Sequence, residues 1–254
     1  MSERALLQEQ YRTPSNLRAR SALYERFAKS SKPYRRWVFD GYDFGESADV
    51  LEVGCGDGTV WRENADRIPS GWRLTLTDLS PGMLEAARAV LGNRAEYAIA
   101  DVDELPFADD SFDGVIANHM LFHIEERGQA FSQIHRVLRP GGLLVATTNG
   151  KTHGRELREL APPREGIWSK TRERFTIESA PDELAPFFVE IEIERFPASL
   201  AVTETGPLVA FLRSRGDVPE DRLGEIEHHV DDVIARDGAF VVTQDTACIR
   251  CRKP

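Results

Sequence analysis

The chain has 254 residues and a net charge of -10, with 41% hydrophobic and 29% charged residues. That is enough apolar material for one large α/β core, which excludes a mainly disordered chain, and the acidic balance excludes a protein whose main business is gripping nucleic-acid phosphates. Three cysteines make no disulfide framework, the opening MSERALLQEQ lacks an apolar signal core, and no run approaches the roughly 18 apolar residues of a membrane span, so a cytoplasmic protein is expected.

Residues 1–45 are basic and aromatic. Leu17, Leu23, Tyr24 and Phe27 follow a helical spacing, Pro33 interrupts it, and Trp37, Val38 and Phe39 form a second apolar group. From 48 to 149 short apolar runs alternate with helical patterns. Strands are expected at 49–53, 72–77, 95–100, 111–117 and 143–148, and helices at 57–67, 81–90 and 125–138. Ser80 is a fitting N-cap with Pro81 at the first helical position, and the 125–138 helix stops before Pro140-Gly141-Gly142. This alternation is the mark of a parallel sheet wrapped on both faces. After 150 the rhythm breaks. Residues 150–180 are polar, with Trp168 and Phe175 as isolated aromatics. A strand is expected at 187–196, with Val189, Ile191 and Ile193 on one face, then helices at 207–215 and 221–236 and one long final strand at 239–252.

The most informative run is Val50-Leu51-Glu52-Val53-Gly54-Cys55-Gly56-Asp57-Gly58, an apolar strand entering a Gly-x-Gly-x-Gly loop that opens a helix. Such glycines let the backbone turn sharply and let a ligand lie against main-chain N–H groups. The second strand ends at Asp78, about twenty residues later, where a carboxylate can accept from both hydroxyls of a ribose. Dinucleotide enzymes space their glycines as Gly-x-Gly-x-x-Gly to seat a pyrophosphate. Here the glycines stand at 54, 56 and 58, and Glu52 and Asp57 would repel a pyrophosphate but tolerate a cation or ammonium group. S-adenosylmethionine, a nucleoside with a sulfonium and an amino-acid end, fits better.

Five motifs follow in order: Leu51 to Gly58; Thr77-Asp78-Leu79-Ser80-Pro81-Gly82-Met83; Ala100-Asp101-Val102-Asp103-Glu104-Leu105-Pro106-Phe107; Phe112-Asp113 through Asn118-His119-Met120-Leu121; and Arg136-Val137-Leu138-Arg139-Pro140-Gly141-Gly142. Over about 100 residues this set resembles the class I S-adenosylmethionine-dependent methyltransferases of small molecules, a group that includes quinone-biosynthesis and natural-product enzymes. The resemblance implies a Rossmann-like doubly wound sheet of seven strands in order 3-2-1-4-5-7-6, strand seven antiparallel. It implies one methyltransferase domain over 1–254, with a helical lid at 1–45, a cofactor core at 46–150, and a substrate-side insertion and final strands at 151–254.

It also implies roles. Gly54, Cys55, Gly56 and Gly58 would underlie the amino-acid end, with Glu52 nearby, and Asp78 would hold the ribose. Leu79 and Met83 would pack on the adenine, Asp101 would accept from its amino group, and the Val102 amide would donate to a ring nitrogen. Asn118 would lie by the methionine portion and His119 at the active-site mouth. Tyr11, Arg18 or Arg20 from the N-terminal segment could meet the cofactor carboxylate, the arginines reading equally as a solvated helix face.

A sulfonium donor is already activated, so a base is needed only where the acceptor must lose a proton. His119 and His123 are the candidates. His123 also reads as a hydrogen-bonded structural histidine, and His153 lies further off in the variable stretch. No metal is expected: His119 and His123 lack a third ligand, Cys248 and Cys251 point to opposite faces of a strand, and Asp109-Asp110 reads as a solvated turn. Asn118 is followed by His, Met and Leu instead of the prolines and aromatic of nucleobase-amine methylation. The expected partner is a small-molecule methyl acceptor, without nucleic acid or membrane, on a monomer or homodimer. Tyr11, Tyr34, Trp37, Trp168 and Phe175 could form an aromatic cover over it. An NAD-dependent oxidoreductase and a non-catalytic adenosylmethionine-binding module stand as alternatives.

Overall fold

The computed structural model describes residues 3–163 and 174–254, so Trp168 lies outside the described residues. Its strands form two sheets. The large one contains β2 (Ser47–Val53), β3 (Gly71–Asp78), β4 (Ala95–Ile99), β5 (Phe112–Asn118), β6 (Leu138–Asn149), β7 (Val189–Arg195) and β10 (Thr246–Arg252), in order β4-β3-β2-β5-β6-β10-β7. Renumbered within that sheet, the order is the expected 3-2-1-4-5-7-6. All neighbours are parallel except β10, which runs antiparallel to both β6 and β7.

A parallel sheet must be covered on both faces, and the inner strands are apolar throughout because each residue meets a core. One face presents Leu51, Val53, Val115, Leu144 and Ala146 to Phe131 and Ile134 of α6 (Arg127–Val137) and Leu184 of α8 (Ala180–Leu184). The other presents Val50, Leu74, Leu76, Ile116 and Val145. They meet Trp37 and Phe39 of α3 (Tyr34–Asp40), Trp61 of α4 (Thr59–Glu63), and Leu84 and Ala87 of α5 (Pro81–Leu91). Ser80 caps α5 as expected, its Oγ accepting from the Met83 amide at 3.3 Å with Pro81 in the first turn.

A third core lies above the carboxyl ends of the strands. It joins α2 (Ser15–Phe27), α7 (Arg155–Leu160), α9 (Thr205–Arg215) and α10 (Glu220–Asp237) to a small antiparallel sheet, β1 (Ala28–Lys29), β8 (Ser199–Val202) and β9 (Phe240–Val242), through Leu23, Phe27, Leu157, Leu200, Leu208 and Val230 among others. With α1 (Glu3–Gln10) these elements form a cover. No helix among the described residues is long and apolar enough to cross a membrane.

Four expectations need correction. The helix at 57–67 is only the five residues of α4: the buried Asn64 amide donates to the Val60 carbonyl at 2.8 Å and to Arg35 at 3.1 Å, taking the place of the next helical turn. Strand β6 starts at Leu138, before the Pro-Gly-Gly, which is a bulge with Gly141 at φ 76° bonded to Lys253. The single final strand is two. The chain leaves the small sheet after Val242, crosses at 243–245 and enters the large sheet at Thr246; Glu156 holds the crossing through the Thr243 amide and hydroxyl, both 2.7 Å. In β7, a bulge with Glu190 at φ 52° takes Val189 out of the expected alternation, and both Val189 and Ile193 are exposed at the sheet edge.

Candidate active site

A cavity of about 1030 Å³ lies between the cover and the carboxyl ends of β2, β3, β4, β5 and β6. That is room for a nucleoside-sized cofactor and a second small molecule.

The glycine loop forms its floor. Gly54, Gly56 and Gly58 have φ of 65°, 56° and 70°, a region where side chains are strained. A Cβ on Gly54 would stand 2.9 Å from Met120 Cβ. Gly54, Cys55 and Gly56 line the cavity; Gly58 does not. Gly58 instead lets the loop press on α5, where a Cβ would lie 3.0 Å from the Ala87 Cα, so its expected place beneath the ligand becomes a packing role.

Carboxylates surround that floor. Asp78, at the end of β3, accepts from the Gly56 amide at 3.0 Å and the Ser80 amide at 2.8 Å, and burial raises its pKa. Glu52 is 1% exposed, accepts from Trp61 Nε1 at 2.5 Å and from the Asn118 amide at 3.0 Å, and burial pushes it up to about 8. Asp57 accepts from the Thr59 hydroxyl at 2.5 Å and from Arg18 Nε at 3.1 Å; although burial opposes it, those donors hold its pKa below the usual range. Arg18 is thus engaged with the protein and is not on the cavity wall, whereas Arg20, buried and 5.4 Å from the Tyr11 ring, is. Leu79, Met83, Asp101, Val102 and Asn118 also line the cavity.

Three tyrosines on the cavity wall, Tyr11 and Tyr24 from the cover and Tyr34 from α3, each meet a histidine. Tyr11 Oη lies 2.9 Å from His123 Nε2, Tyr34 Oη 2.7 Å from His119 Nε2, and Tyr24 Oη 3.0 Å from His153 Nε2. Burial lowers His119 and His123 to about 3 and His153 to about 4, so the imidazoles are neutral, and it raises the three phenols. His119, at φ 48°, donates its amide to the Thr147 carbonyl and hydroxyl, both 3.1 Å, which fixes the turn after β5.

Of the expected aromatic cover, Tyr11, Tyr34 and Phe175 are on the wall. Trp37 packs behind Tyr34 and donates to Glu194 at 3.1 Å. Sequence reasoning missed Tyr24, Phe196, Phe211 and Gln244, which also line the cavity. Tyr24 was legible only as part of an apolar helix face, and Gln244 sits in the crossing that reads as unbroken strand. No cluster of metal-ligating side chains occurs among the described residues, and Cys248 and Cys251 fall in different cores.

Sheet order, glycine loop and acidic crevice together define a class I methyltransferase fold. Residues 51–146 match the family model described as "Methyltransferase domain". The chain is 36% identical over 131 residues to the malonyl-[acyl-carrier protein] O-methyltransferase of Hahella chejuensis, covering 51% of this chain and 47% of that one. It is 31% identical over 119 residues to the ubiquinone/menaquinone biosynthesis C-methyltransferase UbiE of Geotalea daltonii, covering 45% and 51%. The chain thus spans about half the length of the curated relatives it matches. Among solved structures, phosphoethanolamine N-methyltransferase 2 of Haemonchus contortus in complex with S-adenosyl-L-methionine superposes with a TM-score of 0.62 at 22% identity, covering all of this chain and 60% of that one.

Proposed function

We propose that the protein binds S-adenosylmethionine on the Gly54–Gly56 floor and transfers its methyl group to an oxygen, nitrogen or carbon of a small molecule held under the cover. The observation that carries this reading is the acidic crevice. Asp78 and Asp101, with Glu52 poised to ionise beside a cation, line the same cavity as a glycine loop that reaches it with open backbone. Two like charges 4 Å apart cost about 4 kcal/mol near a protein surface, so linked phosphates would be repelled here, while an ammonium or sulfonium would be welcomed. Asp78 uses two of its roughly four acceptor positions on Gly56 and Ser80, leaving two for a ribose diol.

When bound, the cofactor supplies an electrophilic methyl carried on a cationic sulfur. The chain does the rest by binding and exclusion of water. Asp78 orients the ribose, Asp101 and Val102 meet the adenine edge, and Leu79 and Met83 supply apolar contact. Asn118, held between Glu52 and Tyr42, borders the methionine portion. Tyr11 and Arg20 close the cover over it. His119 and His123 stay neutral, and His119 is placed to take a proton where the acceptor has one to lose; its lowered pKa makes it a weak base, so alignment contributes more than proton removal. We place the protein in the cytosol, in keeping with its three unpaired buried thiols, and as a single domain acting without nucleic acid or membrane.

The test is calorimetry with S-adenosylmethionine, S-adenosylhomocysteine and NAD. The adenosyl ligands should bind and NAD should not, and Asp78→Ala should weaken the former at least a hundredfold, the worth of two charge-assisted hydrogen bonds. Binding of NAD in preference would restore the oxidoreductase reading. Binding of the adenosyl ligands without adenosylhomocysteine production from S-adenosylmethionine, with any small-molecule acceptor of a broad panel, would leave the protein a binding module.

A further inference from the structure

The Tyr24–His153 pair is unlike the other two because its hydrogen direction is determined. The Asp245 backbone N–H donates to His153 Nδ1 at 3.2 Å. A ring nitrogen that accepts from an amide carries no hydrogen, so in the neutral imidazole the hydrogen is on Nε2. Nε2 therefore donates to the Tyr24 oxygen, and the Tyr24 O–H hydrogen is directed elsewhere. Among the described residues the hydroxyl has no second partner. Beside the same crossing, the Oε1 of Gln244 is buried without a partner among the described residues, and both side chains line the cavity. A half-buried donor and a buried acceptor left over on one cavity point to a ligand.

The cations at that end narrow its charge. Lys32 is paired with Asp40, and Arg35 with Glu25 and with Glu63 at 2.9 Å. Arg215 is paired with the buried Asp217 at 2.8 Å, and Arg158 donates to the carbonyls of His153 and Lys151. Lys151 is exposed to solvent. Away from the exposed Lys151, an anionic acceptor would have to break one of these ion pairs or draw Arg158 off its carbonyls. The apolar walls are flat, with Phe196 edge-on to Tyr34 at 5.1 Å and Phe211 edge-on to Tyr24 at 6.1 Å.

We propose that Tyr24, together with Gln244, anchors the methyl acceptor, that His153 is a positioning residue that aims the Tyr24 hydroxyl, and that the subsite takes an uncharged, ring-sized molecule bearing a hydroxyl or carbonyl oxygen. This rests on the methyltransferase reading and adds the acceptor class to it.

The experiment titrates the full chain, saturated with S-adenosylhomocysteine, with 4-hydroxyacetophenone, with 4-hydroxybenzoate, which differs in carrying a carboxylate, and with phosphoethanolamine. The uncharged phenol should bind, and the two anions should bind at least tenfold more weakly. Tyr24→Phe should weaken the phenol about tenfold, the size of one lost hydrogen bond, with adenosylhomocysteine affinity unchanged. His153→Leu should match Tyr24→Phe, while His153→Gln, whose amide N–H can still donate, should recover part of the loss. Preference for either anion, no phenol binding at millimolar concentration, or wild-type phenol affinity in Tyr24→Phe would overturn the proposal. Failure of adenosylhomocysteine to bind would instead overturn the methyltransferase reading.

Discussion

The Nε of Arg18 lies 3.1 Å from Oδ2 of Asp57, so an ion pair ties the second helix of the cover to the loop that floors the cavity. Arg18 is 59% exposed on its side chain and Asp57 only 4%, so the tie is open to solvent on one side. Little stability depends on such a pair, but the path of ligand escape does. Arg18→Ala should speed dissociation of adenosylhomocysteine severalfold in stopped-flow measurements with scarcely any change in Tm, and high salt should reproduce the effect in the native chain. An unaltered dissociation rate would show that the cover is held elsewhere.

Gly58 and Gly92 separate strain from collision. Both have positive φ, 70° and 57°, but a Cβ at Gly92 meets open space while one at Gly58 meets the Ala87 backbone. Gly92→Ala should cost about 1 kcal/mol in denaturant unfolding, and Gly58→Ala about 2–3 kcal/mol with α5 displaced. Equal costs would mean that the close approach contributes nothing.

Acid should unfold the protein through its histidines. His119, His123 and His153 are held by burial at about 3, 3 and 4, against 6.5 when exposed. Between pH 6.5 and those values the unfolded chain takes up protons that the folded chain refuses, so stability is full above pH 6.5 and falls as pH drops. His153→Gln should flatten that slope in urea titrations between pH 4 and 6.5; an unchanged slope would mean that His153 is protonated in the folded chain.

Glu52 has the opposite sign. Its folded pKa of about 8 stands above the ordinary 4.5, so the folded chain holds a proton that the unfolded chain has lost, and stability declines as pH rises through that window. Glu52→Gln should remove the decline and raise Tm at pH 9. A cationic ligand beside Glu52 should drive the proton off, so binding heats of S-adenosylmethionine at pH 7 should vary with the ionisation heat of the buffer; heats independent of buffer would refute this.

The cofactor half was legible in the sequence because its constraints are local. Gly54, Gly56 and Gly58 must turn within five residues, Asp78 must end the next strand, and Ser80-Pro81 must start a helix. The acceptor half was not, because its contacts join distant stretches. Tyr24 and His153 are 129 positions apart, and each looks ordinary among its own neighbours. The crossing at 243–245 was hidden because its Thr-Gln-Asp is a short polar break between two apolar runs that read as one strand, and only Glu156, binding Thr243 from 87 positions away, reveals the change of sheet. The short α4 escaped for a similar reason, since Asn64 ends it with an amide also bonded to Arg35.

The small sheet carries an evolutionary consequence. Its strands β1, β8 and β9 are drawn from three widely separated stretches, pairing Ala28 with Leu200 and Leu200 with Val242. No single cassette exchange can therefore transplant this roof onto a sister enzyme. A chimera aimed at new selectivity must import the amino-terminal segment together with the carboxyl-terminal half, and leave the nucleoside-holding middle in place.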